Sequence, residues 1–384
     1  MQDPRRPIQL ARDTLESGFC LWVGAGLTKQ ILANKKSAPL WPELTRELEE
    51  YVGLMPGTEK DYPQSLGWCF AHLRYDGPSL FRAYLRKRLY TEVCLDLLKS
   101  APKADGVSDL IPPRVREVAS LGQLANPIVS FNVEPLSSVL LARPGGPIRL
   151  VPYSKRRSGD LTWREPFSSF HRIVYHPHGL ITGDPVMTAA DYEEKNATLA
   201  FGLAIHLAFG NNLAIVGMSL DDEFLQRQIE KGRDDIQEVL WFNSSFEENN
   251  RAWAAKAGVQ LIEVPWAEFW HFWAQQHVAI DEKNLHAAWW LALQLALEEV
   301  EGGHLTAFAQ TLQEISPENL SGCLDLARES GELGRPIEPD LDAPSIVRQI
   351  QNQIRANFDF ETPLLQYSFT FRPPDLGEVK LIRV

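Results

Sequence analysis

At 384 residues the chain exceeds the ~100–200 residues of a typical domain, so two structural units are expected. Hydrophobic residues at 44 %, charged residues at 23 % and 11 tryptophans exclude a disordered chain, which lacks the apolar surface needed to offset ordering entropy. Acidic residues outnumber basic ones by 50 to 38, for a net charge of −12, the wrong sign for a surface that tracks nucleic-acid phosphates.

The first residues carry Pro4 and Pro7 without an apolar core and do not read as a secretory signal. Residues 19–23 read as a strand that runs straight into Gly24, Ala25 and Gly26. A helix is expected over 41–52, with Pro42 in its first turn. Residues 41–125 read as a mostly helical lobe inserted after that strand, including a helix over 79–90 whose Arg82, Arg86, Lys87 and Arg88 suggest a solvated face. Strands are predicted at 127–131, 148–151, 172–175, 212–216, 238–242 and 259–264, mostly as continuous apolar runs, the pattern of strands covered on both faces. Helices at 191–209, after a Thr188 cap, and at 222–231, after Ser219, alternate with them. This grammar predicts an α/β fold, a Rossmann-like doubly wound parallel sheet.

Beyond about residue 275 the strand pattern stops. Helices are expected over 285–300 and 305–315, then a proline-interrupted tail from Pro336 with a short hairpin around Asp375 and Gly377. The chain thus divides into a sheet domain, 1–275, with its helical insertion, 41–125, and a mostly helical C-terminal region, 276–384. In that region Leu285, Ala288, Trp289, Ala292, Leu293 and Ala296 form a stripe that needs cover. The sheet domain or a second copy of the chain would serve. The adjacent Trp289 and Trp290, on different sides of one helix, and the long tail favour a homo-oligomer. The aromatic run Phe269, Trp270, Phe272 and Trp273 reads as core packing before interface.

Cys20, Cys69, Cys94 and Cys323 contain no pair at zinc-ribbon spacing, so no metal is expected and a reducing cytoplasm is. The longest apolar stretch, 287–297, is interrupted by Gln294 and is shorter than the ~20 residues of a membrane helix.

Four loops that follow predicted strands carry the chemistry. Gly24 and Gly26 allow backbone to approach a pyrophosphate, or simply form a tight turn. Lys29 stands where a dehydrogenase fingerprint needs its third glycine, which disfavours hydride transfer. Asn132 and Glu134 would project from the carboxyl end of a strand into a binding crevice, unless Asn132 merely caps the exit. His178, before Gly179, has the side chain suited to proton transfer near neutrality, and His176 makes with it a His-x-His without a third ligand. Gly217 and Ser219 follow another strand; with Asp221 where a nucleophile elbow needs glycine, Ser219 reads as a ribose or phosphate contact or a helix cap.

Taken in order, these loops resemble the sirtuin superfamily, and within it the zinc-free sirtuin-like NAD-cleaving proteins of bacterial anti-phage defence. Gly24-Ala25-Gly26 resembles the family's glycine-alanine-glycine loop, Asn132 the asparagine of its Thr-x-Asn-x-Asp motif and His178-Gly179 its catalytic His-Gly. Val186-Met187-Thr188 and Asp191-Tyr192 resemble the segment that follows, and Gly217 with Ser219 the ribose-binding turn. The likeness covers residues 14–270. Glu134 stands where the family has aspartate, and the zinc ribbon of the deacylases is absent.

The resemblance implies an NAD+ glycohydrolase that yields ADP-ribose and nicotinamide, with Asn132 and His178 catalytic and with Gly24, Ala25, Gly26, Glu134, Gly217 and Ser219 binding NAD+. It also implies a defence effector partnered by a HerA-like ATPase or another phage-sensing protein. A non-enzymatic NAD or ADP-ribose sensor, and ADP-ribosyl or deacyl transfer to protein, are the alternatives.

Overall fold

The computed structural model describes residues 11–301, apart from 12–13, 16–17, 33, 56–60, 74–77, 100–110, 147, 154–171, 184, 220–222 and 275–279, together with 367–369 and 381–383. A parallel sheet holds β1 (Phe19–Val23), β2 (Ala125–Ser130), β3 (Ile148–Pro152), β4 (Arg172–His176), β5 (Asn212–Val216), β6 (Val239–Asn243) and β7 (Val259–Glu263). Their order is β3-β4-β2-β1-β5-β6-β7, and every neighbouring pair is parallel. Each strand lies on an apolar run read from the sequence.

The continuous apolar character of β1 follows from its position in the middle of the sheet. Phe19, Leu21 and Val23 enter one hydrophobic core and Cys20 and Trp22 the other, on the opposite face. The pairing of β1 with β2 shifts register between Phe19↔Ala125 and Leu21↔Ile128, where Pro127 has no N–H for the ladder.

Between β1 and β2 lie α1 (Ala25–Ile31) and the helical lobe: α2 (Trp41–Tyr51), α3 (Tyr62–Leu73), α4 (Pro78–Arg86), α5 (Glu92–Lys99) and α6 (Pro113–Leu124). The expected helix over 79–90 is not one α-helix, because Lys87–Thr91 forms a π-helical turn that joins α4 to α5. Nor is its basic cluster simply solvated. Arg88 pairs with Glu47 and Glu92, and Arg86 with Glu299.

After β2 come α7 (Leu136–Ala142), then α8 (Ala189–Glu193) and α9 (Lys195–His206) beyond β4, α10 (Glu223–Gly232) beyond β5, α11 (Glu248–Ala257) beyond β6 and α12 (Trp266–Ala274) beyond β7. The helix expected over 191–209 is split, since Glu194 has the extended ψ of 135°. Thr188 caps α8 as read from the sequence, accepting from the Asp191 N–H. Phe269, Trp270 and Trp273 of α12 are core residues.

The last long helix among the described residues, α13 (Glu282–Glu301), puts Leu285, Trp289, Ala292, Leu293 and Ala296 into the same core as the helical lobe, against α5 and α7. The stripe that suggested a second copy is therefore covered within the chain. Buried Glu299 accepts from Arg86 Nη2 at 2.6 Å and Thr91 Oγ1 at 2.8 Å, tying α13 to the lobe. The expected helix over 305–315 lies outside the described residues. β8 (Tyr367–Phe369) and β9 (Leu381–Arg383) pair antiparallel, flanking the expected hairpin turn. No described helix is long and apolar enough to cross a membrane.

Candidate functional site

From β1 the chain builds outward to β2 on one side and β5 on the other, and at such a switch point the crevice lies beyond the carboxyl ends of the strands. Gly24, Ala25 and Gly26 leave β1 there, Asn132 and Glu134 follow β2, His178 follows β4, and Gly217 and Ser219 follow β5. All of them line one cleft of about 370 Å³.

The close approach that the glycines permit is between two loops of the protein. Gly24 N–H donates to the Val216 carbonyl at 3.1 Å and Gly26 N–H to the Gly217 carbonyl at 2.8 Å. A Cβ on Gly26 would lie 2.7 Å from the Gly217 oxygen, and one on Gly217, whose φ is +68°, only 2.4 Å from Leu27 N. The Trp241 indole N–H holds the same turn through the Met218 carbonyl at 3.0 Å. Ser219 is exposed at the rim.

Glu134, although only 4 % exposed, does not present a free carboxylate to the cleft. Its Oε2 accepts from the Leu136 and Ser137 amides at 2.6 and 3.2 Å, in the first turn of α7. Its Oε1 accepts from Thr28 Oγ1 at 2.6 Å and Ser137 Oγ at 2.8 Å. Both hydroxyl protons are thereby committed, and their lone pairs are left to accept from Asn132 Nδ2 at 2.9 and 3.1 Å. The amide orientation follows: Nδ2 points into the network, and Oδ1, buried and without a hydrogen-bond partner among the described residues, remains as an acceptor. Thr28 and Ser137 were not singled out from the sequence. The available signal was Ser137, three residues after Glu134 at the start of an apolar helical run.

Below Asn132, His176 is fully buried. Its Nδ1 donates to the Asn132 carbonyl at 2.9 Å, so its Nε2 accepts from Ser138 Oγ at 3.1 Å. The imidazole is a backbone anchor for Asn132 and not half of a metal site.

His178 is 3 % exposed, enclosed by the rings of Phe131, Phe201, Trp41 and Tyr192. Burial pushes its pKa down to about 4, against the opposing effect of the hydrogen bond to the Phe131 carbonyl, so the ring is neutral at pH 7. That carbonyl, 3.0 Å from Nδ1, can only accept, which places the proton on Nδ1 and the lone pair on Nε2. Tyr192 OH lies 3.0 Å from Nε2.

Lys29, at the position of the missing third glycine, lines the cleft and pairs with Glu43 of α2 at 2.7 Å. Met187, from the segment that resembles the family, lines the cleft as well, and Trp41, Asn243 and Trp266 complete walls that the sequence did not single out. Among the described residues no group of three or more His, Cys, Asp or Glu is placed to hold a metal, and Cys20, Cys69 and Cys94 are buried free thiols. Cys323 lies outside the described residues.

Residues 132–262 match the family model described as a SIR2-like domain, so the chain carries a domain similar to those of the sirtuin superfamily. The match begins at Asn132 and ends in β7; the glycine loop and the helical lobe lie outside it. A comparison with curated proteins finds no match.

Proposed function

We propose that this SIR2-like domain hydrolyses NAD+ at the bond between nicotinamide and ribose, releasing nicotinamide and ADP-ribose. One observation carries the reading: Asn132, whose buried Oδ1 is an acceptor without a hydrogen-bond partner among the described residues, and a neutral histidine, His178, line the same switch-point cleft. Cleavage passes through an oxocarbenium-like state with a neutral leaving group, so positioning matters more than acid catalysis. Asn132 Oδ1 accepts from the attacking water or a ribose hydroxyl, and His178 stores the proton released as the water oxygen bonds to the anomeric carbon. The interlocked glycine loops and Ser219 form the wall for the pyrophosphate and second ribose.

The test incubates the purified full chain with NAD+ and quantifies both products. Equal amounts of nicotinamide and ADP-ribose are expected, and Asn132→Ala and His178→Ala each lower the rate on the order of 10²–10⁴-fold with the fold intact. NAD+ binding without nicotinamide release would replace the enzyme with a sensor, and ADP-ribose on protein would make it a transferase.

The defence role, a HerA-like or other phage-sensing partner and assembly into a homo-oligomer belong to the same proposal through the sequence resemblance. Light scattering of the full chain, alone and with such a partner, tests the assembly.

A further inference from the structure

No described residue of α13 lines the cleft, yet one carboxylate of that helix stands directly behind its wall. Leu89, in the π-helical turn Lys87–Thr91, and Val93, in the first turn of α5, both line the cleft. A π turn bonds i to i+5, one residue more than an α-helical turn, so it offsets the faces of α4 and α5 by about 100°. The direction in which Leu89 and Val93 present themselves therefore depends on that turn being kept.

Glu299 of α13, itself buried, holds the turn at both ends. Its Oε1 accepts from Arg86 Nε at 2.9 Å and from Thr91 Oγ1 at 2.8 Å, and its Oε2 from Arg86 Nη2 at 2.6 Å. Arg86 immediately precedes the turn and Thr91 is its last residue. Between these grips Arg88 donates to the Lys36 and Ser37 carbonyls at 2.9 and 3.4 Å, just before Ala38, Leu40 and Trp41 of the same cleft. Stability alone does not call for the charge: α13 is already packed through Leu285, Trp289 and Leu293, and a buried ion pair contributes little net stability over an apolar replacement. What a carboxylate with three directed bonds supplies is geometry.

We propose that Glu299 is a positioning residue for the cleft: by clamping both ends of the π turn it sets Leu89 and Val93 against the bound dinucleotide. Substrate affinity of the SIR2-like domain thereby depends on the C-terminal helix. The proposal takes from the function proposed above only that NAD+ occupies the cleft, not that it is hydrolysed.

Carba-NAD+, in which carbon replaces the ring oxygen of the nicotinamide ribose and no oxocarbenium-like state can form, reads occupancy without turnover. By titration calorimetry on the full chain, Glu299→Gln is expected to weaken its binding roughly 10-fold, as does Leu89→Ala. A glutamine keeps the volume but turns one acceptor into a donor, so it can hold only one end of the turn. In the Leu89→Ala chain, Glu299→Gln is expected to add less than twofold, because its effect passes through Leu89. Where NAD+ is hydrolysed, KM rises and kcat stays within about threefold. Unchanged affinity in Glu299→Gln, or two losses that multiply in the double variant, overturns the proposal. A wild-type chain that binds carba-NAD+ but releases no nicotinamide from NAD+ overturns the hydrolysis alone, and the binding cycle still decides the clamp; a chain that binds neither overturns both. The Arg86 side chain is 45 % exposed, so its guanidinium rehydrates when released. Should Glu299→Gln nevertheless fail to fold, Arg86→Gln opens the clamp from the solvent side and is held to the same two criteria.

Discussion

Replacing Glu134 with glutamine changes almost no volume but reverses the hydrogen-bond polarity of the site. In the native protein the carboxylate only accepts: two backbone amides reach Oε2, and Thr28 and Ser137 give Oε1 their hydroxyl protons at 2.6 and 2.8 Å. A glutamine must turn its carbonyl toward the amides, which can only donate, and so points its NH₂ at the hydroxyls. Those oxygens then spend their lone pairs on the new amide, their protons swing toward Asn132, and its amide flips to place Nδ2 where Oδ1 had been. Weakening several charge-assisted bonds to neutral ones costs about 1 kcal/mol each, partly offset by relief from burying a charge. The fold is therefore expected to survive with a net loss of roughly 1–3 kcal/mol. A misdirected dipole at the reacting position costs on the order of 10²–10³ in rate. Thermal unfolding and nicotinamide release, measured on one preparation, separate the two effects. A folded Glu134→Gln chain within threefold of wild-type activity would refute the assignment of Glu134 as the residue that orients Asn132.

Burial holds His176 and His178 near pKa 4, below the ordinary 6.5. The unfolded chain takes up these protons between pH 6.5 and 4 while the folded chain does not, so stability contributed at neutral pH is lost as pH falls through that window, up to about 3 kcal/mol per imidazole. Urea denaturation at pH 7 and pH 4.5 checks this, and equal stabilities would sink it. Elemental analysis is expected to show no stoichiometric zinc and unfolding in chelator to match that without it; one zinc per chain, lost on unfolding, would reopen deacylation. Removing residues 280–384 takes the buried Leu285, Trp289 and Leu293 out of the core, at ~1.5–3 kcal/mol each, enough to approach the whole stability of a domain. A truncated chain melting within a few degrees of the full chain would contradict that account of α13.

The local code of this protein is strong where a residue's surroundings follow from its own neighbours in the chain. Continuous apolar runs such as residues 212–216 announce strands covered on both faces, and the small or polar residues after them announce the loops at the carboxyl edge. Gly24, Asn132, His178 and Gly217 were legible for that reason, since each follows such a run closely. Which loops meet depends on strand order, and that is settled by the packing of helices on two faces, beyond the reach of any local pattern. Only the folded chain brings Thr28 to Glu134 across 106 positions and leaves Asn132 one orientation. It alone shows that Gly26 and Gly217 are small for each other's sake, and that the α13 stripe is covered by α5 of the helical lobe together with α7. An apolar stripe states that cover is needed but carries no mark of what covers it, because burial has no direction. Hydrogen bonds do have direction, and it was the shared carboxylate of Glu134 and the carbonyl of Phe131, both acceptors only, that fixed where the protons of Asn132 and His178 must lie.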